Sequence, residues 1–324
     1  MISVIITTYN KAKYLSLTLA GYVRQSFKDF ELVIVDDGST DDTSDVIKKY
    51  SSILNIKYIP VTHIGIAKAK NKGIENASYD YVILTDDDRI PCDGFVEKHK
   101  KRLDEGKKCV VIGKQGLILS YFNKRIQFGF QEEFRLYDKY PELLSCEEKQ
   151  MFDEKDVLDD FDGVLDKFFL SECNDGLLLD CVDRFGEDLD DFELAWSKAY
   201  GGNISFSKKY LTEQPVFDGG YKGYGIEDID FSYQLYLQGY KFIFDSGAIN
   251  YHQEHPRGNN EIRDMFQNYK YFSEKYPGID AWMLKLDWFG AASLYEVNAF
   301  RRIFNQNKDV LRKYILNELC VENS

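Results

Sequence analysis

The chain has no uninterrupted apolar run approaching 18 residues, which excludes a hydrophobic helix spanning a bilayer. Its start, MISVIITTYN, lacks the basic n-region and the apolar length of a secretory signal. The six cysteines (92, 109, 146, 173, 181, 320) show no CxxC spacing and no small disulfide framework, so reduced, mostly buried thiols in the cytoplasm are expected. Positive charge is also short. Against 54 Asp and Glu stand 41 Lys and Arg, a net of −13, and that excludes nucleic acid as a partner, because phosphate binding needs a basic surface. There is no internal repeat and no low-complexity linker. Histidine is scarce: four in 324 residues, two of them within Asn250–Pro256.

What is present describes a globular protein. An apolar share of 44% over 324 residues supports a sizeable core in one large domain or two modest ones. Aromatics reach 15%, with 23 Tyr and 23 Phe, which reads first as bulky core packing and second as faces for carbohydrate. The acidity is local. Residues 131–194 hold 22 acidic and 6 basic side chains, a net of −16, so the rest of the chain carries −13 − (−16) = +3.

The most informative stretch is Glu31–Thr43, ELVIVDDGSTDDT. A short apolar run ends on two carboxylates and a glycine turn, which is how open α/β sheets build ligand sites at strand ends. Two other strands have the same form: Ile2 to Thr7, ending in TTYN, and Tyr81 to Leu84, ending in Asp86-Asp87-Asp88. Between them, helices are predicted over 13–25, 39–50 and 66–76, and a short strand over 56–60. Further strands are expected at 110–112, 117–121, 204–207 and 241–245, and a helix at 229–238 closed by Gly239. The acidic segment reads as helical with no strong strand pattern. Beyond 260 the spacing of Trp282, Leu286, Phe289, Val297 and Phe300 predicts packed helices. The surface at 280–320 is the candidate for a peripheral membrane or homodimer contact.

Three groups of residues carry chemistry. On a strand, Asp86 and Asp88 share a face while Asp87 points elsewhere, and two carboxylates on one face suit Mn²⁺ or Mg²⁺. A neutral imidazole from NYHQEHP can complete that shell. His252 or His255 would serve, and Pro256 restricts the backbone of His255, which favours His252. A separate zinc site lacks its third and fourth ligands at suitable spacing. The third group, Glu227, Asp228 and Asp230, follows the glycine-rich GGYKGYG at a helix start, where a carboxylate can take a proton from a hydroxyl nucleophile.

TTYN, VDDGSTDDT, AKAKNKGI and LTDDDRIP, in this order and spacing, resemble the successive motifs of family 2 glycosyltransferases of the GT-A fold. Gly201-Gly202-Asn203, GYGIEDIDF and NYHQEHP resemble the C-terminal half of galactosyltransferase-type and chondroitin-polymerase-type members. The resemblance covers about 1–128 and 196–257. It implies an α/β fold with a Rossmann-like, mainly parallel sheet flanked by helices. A nucleotide-sugar half at 1–128 would be followed by an acidic helical insertion at 129–195. An acceptor-binding and catalytic half at 196–259 and a helical appendage at 260–324 would complete the chain.

The resemblance also implies roles. Thr7, Tyr9 and Asp37 would hold the nucleoside, Asp37 accepting from uracil with Asp36 assisting. Lys70 stands where many members have the arginine of an ARN motif, facing uracil or diphosphate. Asp86 and Asp88 form the DxD, with Asp88 the direct metal ligand and His252 the later one, and Asp87 belongs to the donor-binding set. Gly202 and Asn203 would line the donor, with Glu227 beside it. Asp228 matches the general base of inverting members. The implied activity is metal-dependent inverting transfer from a UDP-sugar to a hydroxyl of a glycan, glycolipid or peptide. A GT-A nucleotidyltransferase would show a glycine-rich loop and a lysine after the first strand, which TTYNKAKYL lacks. A non-catalytic partner would have lost the metal acids or the base. A dinucleotide oxidoreductase would need GxGxxG, which is absent.

Overall fold

A computed structural model describes residues 1–307 except 107, 173–175, 215, 224, 257–260 and 289. The readings for Cys173, Phe289 and Cys320, and for the 308–320 part of the candidate contact surface, lie outside the described residues. The N-terminal third alternates strands and helices: β1 (Ile2–Thr8), α1 (Ala12–Val23), β2 (Phe30–Asp36), α2 (Thr43–Tyr50), β3 (Ile56–Pro60), α3 (Ile66–Asn76) and β4 (Tyr81–Asp86). There follow β5 (Arg89–Pro91), α4 (Phe95–Glu105), β6 (Cys109–Ile118), β7 (Tyr121–Asn123), α5 (Phe130–Lys139), β8 (Glu148–Gln150), α6 (Glu154–Asp159), α7 (Phe161–Phe168), β9 (Phe169–Glu172) and α8 (Gly176–Phe185). The chain continues with β10 (Asn203–Ser207), α9 (Glu227–Leu237), β11 (Lys241–Gln253), α10 (Glu261–Lys275), α11 (Ile279–Trp288) and α12 (Leu294–Gln306).

Nine strands form one sheet in the order β3-β2-β1-β4-β10-β6-β11-β5, with β9 paired to β6, while β7 and β8 make a separate ladder. Neighbours from β3 to β4 run parallel, and β6 and β11 are parallel as well. The strand β10 joins these two blocks by antiparallel pairing on both sides. Both faces are covered, which is why β1, β2 and β4 are continuous apolar runs rather than alternating ones. Val33, Val82 and Leu84 pack on the side of α9 and the C-terminal helices. Leu32, Ile34 and Ile83 pack on the side of α1 and α4.

Three sequence readings change. The helix expected from Ser39 begins at Thr43, because Asp36 caps the Ser39 N–H (2.9 Å) and Asp41 takes the N–H groups of Ala12 and Thr43 (3.0 and 3.2 Å). The strands expected at 110–112 and 117–121 are largely one, β6. Gly113 and Gly116 look like breaks but mark close approaches: a Cβ on Gly113 would lie 2.3 Å from Asn203 Oδ1, and one on Gly116 would lie 2.8 Å from the Tyr251 ring. The strand expected to end at Asp245 runs on to Gln253 after an irregularity between Asp245 and Asn250, so His252 sits on a strand.

The acidic segment is built into the body. Leu178, Leu189, Phe192 and Leu194 join one core cluster, and Phe152, Val157 and Phe161 join the other. Its carboxylates meet cations from elsewhere: Glu148 with Lys13, Glu154 with Lys49, Glu172 with Lys114 (2.9 Å), Asp188 with Arg102 (3.2 Å) and Asp191 with Arg302 (2.9 Å). Part of the uneven charge of the sequence is thus paired within the fold. The C-terminal helices pack on the body through Met283, Leu284, Leu294 and Val297. They also fix a loop: Asn268 of α10 takes the Lys222 N–H (3.0 Å) and donates to Lys222 O and Gly225 O (both 2.9 Å). Lys275 bridges Asp218 (2.9 Å) and Asp230 (2.8 Å). No described helix is long and apolar enough to cross a membrane.

Candidate active site

The C-terminal ends of β1, β2 and β4 lie side by side, Thr7 opposite both Val35 and Asp86. Asp37, just past β2, is buried. Its Oδ1 accepts the Ile64 N–H (2.6 Å) and its Oδ2 the Gly65 N–H (3.0 Å). Asp36 is spoken for as well, by the Ser39 N–H and by the Tyr58 hydroxyl (2.8 Å). Tyr9 is 45% exposed, and its ring lies 4.4 Å from that of His63, so the two form an aromatic wall over Asp37. Thr7 and Asp37 thus lie at adjacent strand ends with Tyr9 exposed beyond β1, whereas Asp36 holds the turn.

Past β4 the chain turns at Asp87-Asp88, and the strand alternation assumed for Asp86 and Asp88 stops there. Asp86 turns to Arg89 (Nε to Oδ2, 3.0 Å), whose guanidinium also donates to Gln115 (2.8 Å). Asp88 turns the other way, toward His252 (Nε2 to Oδ1, 3.6 Å), His255 (Nε2 to Oδ2, 3.1 Å) and Lys11 (Nζ to Oδ2, 2.9 Å). Among the described residues, Asp88, His252 and His255 are the group able to surround a cation, their ligand atoms lying within 4.8 Å of one another. Asp86 pairs with Arg89 and is not in this group.

The donor set fits a metal. Asp88 Oδ1 is buried and accepts no hydrogen bond among the described residues, an orphaned anionic oxygen facing His252. One carboxylate and two imidazoles suit Mn²⁺ better than Mg²⁺, which prefers oxygen alone. Burial drives the His252 pKa down to about 4, against the pull of Asp88, and leaves the neutral ring a ligand needs. Burial also works against ionised Asp88, but His252, His255 and Lys11 outweigh it and hold the carboxyl well below its usual range. Asp87 behaves oppositely: burial first, then the charge of Asp88, pushes it up to about 7.

The third centre is the start of α9. Ile226 precedes it with φ 76°, a left-handed conformation that a β-branched residue adopts only under constraint, and Gly225 before it has φ 88°. That bend presents Glu227 and Asp228. Asp228 Oδ1 accepts from Lys70 (2.7 Å), a nearly buried lysine whose ammonium lies 4.9 Å from the Phe217 ring centroid. Burial would lower the Lys70 pKa, but Asp228 and then Asp86 raise it, so it stays a cation. Glu227 is pushed up to about 7, by burial first and by Asp228 second.

The turn at Gly201-Gly202 brings these centres together. A Cβ on Gly201 would lie 2.4 Å from Asp228 Oδ1, and one on Gly202 would lie 2.4 Å from Arg89 Nε. Both positions need glycine because a functional side chain lies against the backbone. Asn250 (2.8 Å) and Thr85 (3.2 Å) hold the Gly202 carbonyl. Asn203 is a correction. Its side chain is wholly buried, donating to Lys114 O (2.8 Å) and Ala248 O (3.0 Å) and bonded to His99 (2.8 Å), so it braces β10 against β6 and β11 and does not line the donor site.

Residues 3–152 match the profile described as glycosyl transferase family 2. Over these residues the chain resembles this family. Among similar proteins, the chondroitin synthase of Escherichia coli is 29% identical over 88% of the chain and 40% of its own length. The uncharacterized glycosyltransferase YfnE of Bacillus subtilis is 28% identical over 86% of the chain and 71% of its own. The hyaluronan synthase of Pasteurella multocida is 30% identical over 80% and 25%. The chain thus spans less than half the length of the two named synthases. Among solved structures, S. aureus TarS shares the fold at a TM-score of 0.54, with 20% identity over 85% of the chain and 39% of TarS.

Sequence reasoning missed Arg89 and Lys11 and ranked His255 second. His255 was set below His252 because of Pro256, yet both rings reach Asp88. Arg89, inside LTDDDRIP, gave no signal until the Gly202 cradle was visible. Lys11 follows TTYN directly, but a lone lysine after a strand is usually solvated, and nothing local shows that it reaches Asp88, 77 residues away.

Proposed function

We propose that the chain is a metal-dependent, inverting glycosyltransferase that moves a sugar from a UDP-sugar to a hydroxyl of a glycan. The observation that carries this reading is the Gly201-Gly202 turn, touched on one side by Asp228 and on the other by Arg89, which pairs with Asp86. A carboxylate able to accept a proton and a cluster able to hold a cation thus flank one crevice.

In this reading the Tyr9–His63 wall and Asp37 receive the base, and the remaining lone pairs of Asp37 take the uracil N–H. Asp88, His252 and His255 would hold Mn²⁺, which when bound offsets the charge of the leaving diphosphate. The acceptor oxygen attacks the anomeric carbon from the face opposite the diphosphate, the carbon–oxygen bond to the diphosphate breaks, and the acceptor proton passes to the Asp228 carboxylate. Lys70 fixes that carboxylate by the 2.7 Å bond and keeps a positive charge beside it. Glu227 retains a proton up to about pH 7 and can donate a hydrogen bond to a sugar hydroxyl. The acceptor follows from two points. The synthase names of the relatives favour a glycan, and the pairing of the acidic segment within the fold leaves less charge to attract a basic peptide.

The test is nucleotide release from a panel of UDP-, GDP- and dTDP-sugars with and without Mn²⁺. Turnover of a UDP-sugar that disappears with chelator is expected. Asp228→Asn should lower transfer roughly 10²- to 10⁴-fold while leaving UDP affinity nearly unchanged. Full activity in chelator, or a full-rate Asp228→Asn enzyme, would defeat the mechanism.

A further inference from the structure

We propose that the Lys11 ammonium is a built-in occupant of the Asp88–His252–His255 cluster and that a divalent cation must displace it to bind. The inference rests on the metal reading above and concerns what this chain places in the site beforehand. Lys11 Nζ lies 2.9 Å from Asp88 Oδ2 and 2.7 Å from His255 Nε2, two of the three ligand groups. The other ring nitrogen of His255, Nδ1, lies 3.1 Å from the carbonyl of Pro256; with the proton there, Nε2 offers its one lone pair to Lys11, whereas the opposite tautomer donates from Nε2 to Asp88 Oδ2, 3.1 Å away. A metal ion requires that same lone pair. An imidazole nitrogen cannot serve an ammonium and a cation together, so the two compete for one position.

The neighbourhood supports exchange rather than a permanent ion pair. The ammonium faces the Tyr14 ring at 5.0 Å, and its side chain is 25% exposed, so a released Lys11 has solvent to move into. Asp88 is 8% exposed and keeps Oδ1 without a hydrogen bond among the described residues, so Lys11 satisfies only half of the carboxylate. A divalent ion would use both the orphaned oxygen's side of the cluster and His252, which Lys11 does not reach within hydrogen-bond distance among the described contacts. Metal arrival would thereby free a positive charge at the mouth of the crevice.

Calorimetric titration of Mn²⁺ into the wild type, Lys11→Met and Lys13→Met tests this. Lys13 also lies near the Tyr14 ring (5.2 Å) but pairs with Glu148, so it controls for loss of one nearby positive charge. Lys11→Met should bind Mn²⁺ roughly ten- to a hundredfold more tightly than the wild type, the worth of a charge-assisted hydrogen bond that no longer has to be broken. Lys13→Met should match the wild type. Equal affinities for all three, or equal gains in both variants, would overturn the displacement and leave the metal reading standing. Absence of binding in both the wild type and Lys11→Met would overturn the two together. A second measurement needs no variant: acylation of Lys11 in the wild type, mapped by mass spectrometry, should speed up several-fold on adding Mn²⁺. An unchanged rate would equally overturn the displacement.

Discussion

Two strand ends in this fold carry paired aspartates, and they are neutralised in different ways. After β2, Asp36 and Asp37 are met by groups that do not move: the N–H groups of Ser39, Ile64 and Gly65 and the Tyr58 hydroxyl. After β4, Asp86 and Asp88 are met by long cationic side chains, Arg89 and Lys11, while one oxygen of Asp88 has no hydrogen bond among the described residues. Backbone donors make a rigid site of fixed shape, suited to recognising a flat base. Side-chain cations can be exchanged, which suits an edge where an ion and a charged leaving group arrive and depart.

The largest effect should come from a third carboxylate held by a long cation, Asp228 of α9, disturbed without touching its charge. Gly201→Ala places a methyl within 2.4 Å of Asp228 Oδ1 and 2.9 Å of its Cγ, so the carboxylate must shift off its bond with Lys70. Turnover should fall about a hundredfold, the cost of misplacing a catalytic group by about an ångström, with KM for donor changing far less. Steady-state kinetics against a thermal melt will check it: a Tm loss as large as the rate loss would mean the glycine is structural.

At the rigid edge the effect should be on stability. Asp37→Asn keeps the size but replaces one carboxylate oxygen by an amide that cannot accept, leaving either Ile64 or Gly65 N–H without its partner. The loss should be about 3 kcal/mol, since the bond broken is charged and partly buried. Denaturant unfolding measures it. The comparison between the edges would fail if Asp88→Asn cost as much, because the Asp88 carboxylate accepts no backbone N–H among its described bonds.

The same division decides what could be read from sequence. The rigid edge is local: strand, acid pair, Gly38 and the capping Ser and Thr follow one another in VDDGSTDDT, so β2 and its turn were legible. β3 and α3 were legible to the residue, because their apolar periods are clean. The exchangeable edge and the Asp228 centre are assembled over distance. Lys70 meets Asp228 across 158 positions and Lys11 meets His255 across 244, and no spacing rule reports such contacts. Asn203 was misassigned because its motif neighbours a real turn while its own side chain, the first of β10, points into the core.

Glu227 offers the smallest and sharpest test, because it belongs to neither kind of edge. Burial and the charge of Asp228 raise its pKa from the ordinary 4.5 to about 7, whereas in the unfolded chain it titrates normally. The folded state therefore binds its proton more tightly. Stability from this group is fully present below about pH 4.5 and is lost as pH rises through about 7, the unfolded chain having released its proton earlier. Allowing for partial exposure, the loss should be about 2 kcal/mol. Glu227→Gln cannot ionise, so its melting temperature should fall less than that of the wild type between pH 5 and pH 8. Asp87, also raised to about 7, loses stability over the same window in both proteins and cancels in the difference. Parallel melting curves for wild type and variant would show that Glu227 ionises freely, and would place it with the exposed carboxylates rather than beside the base.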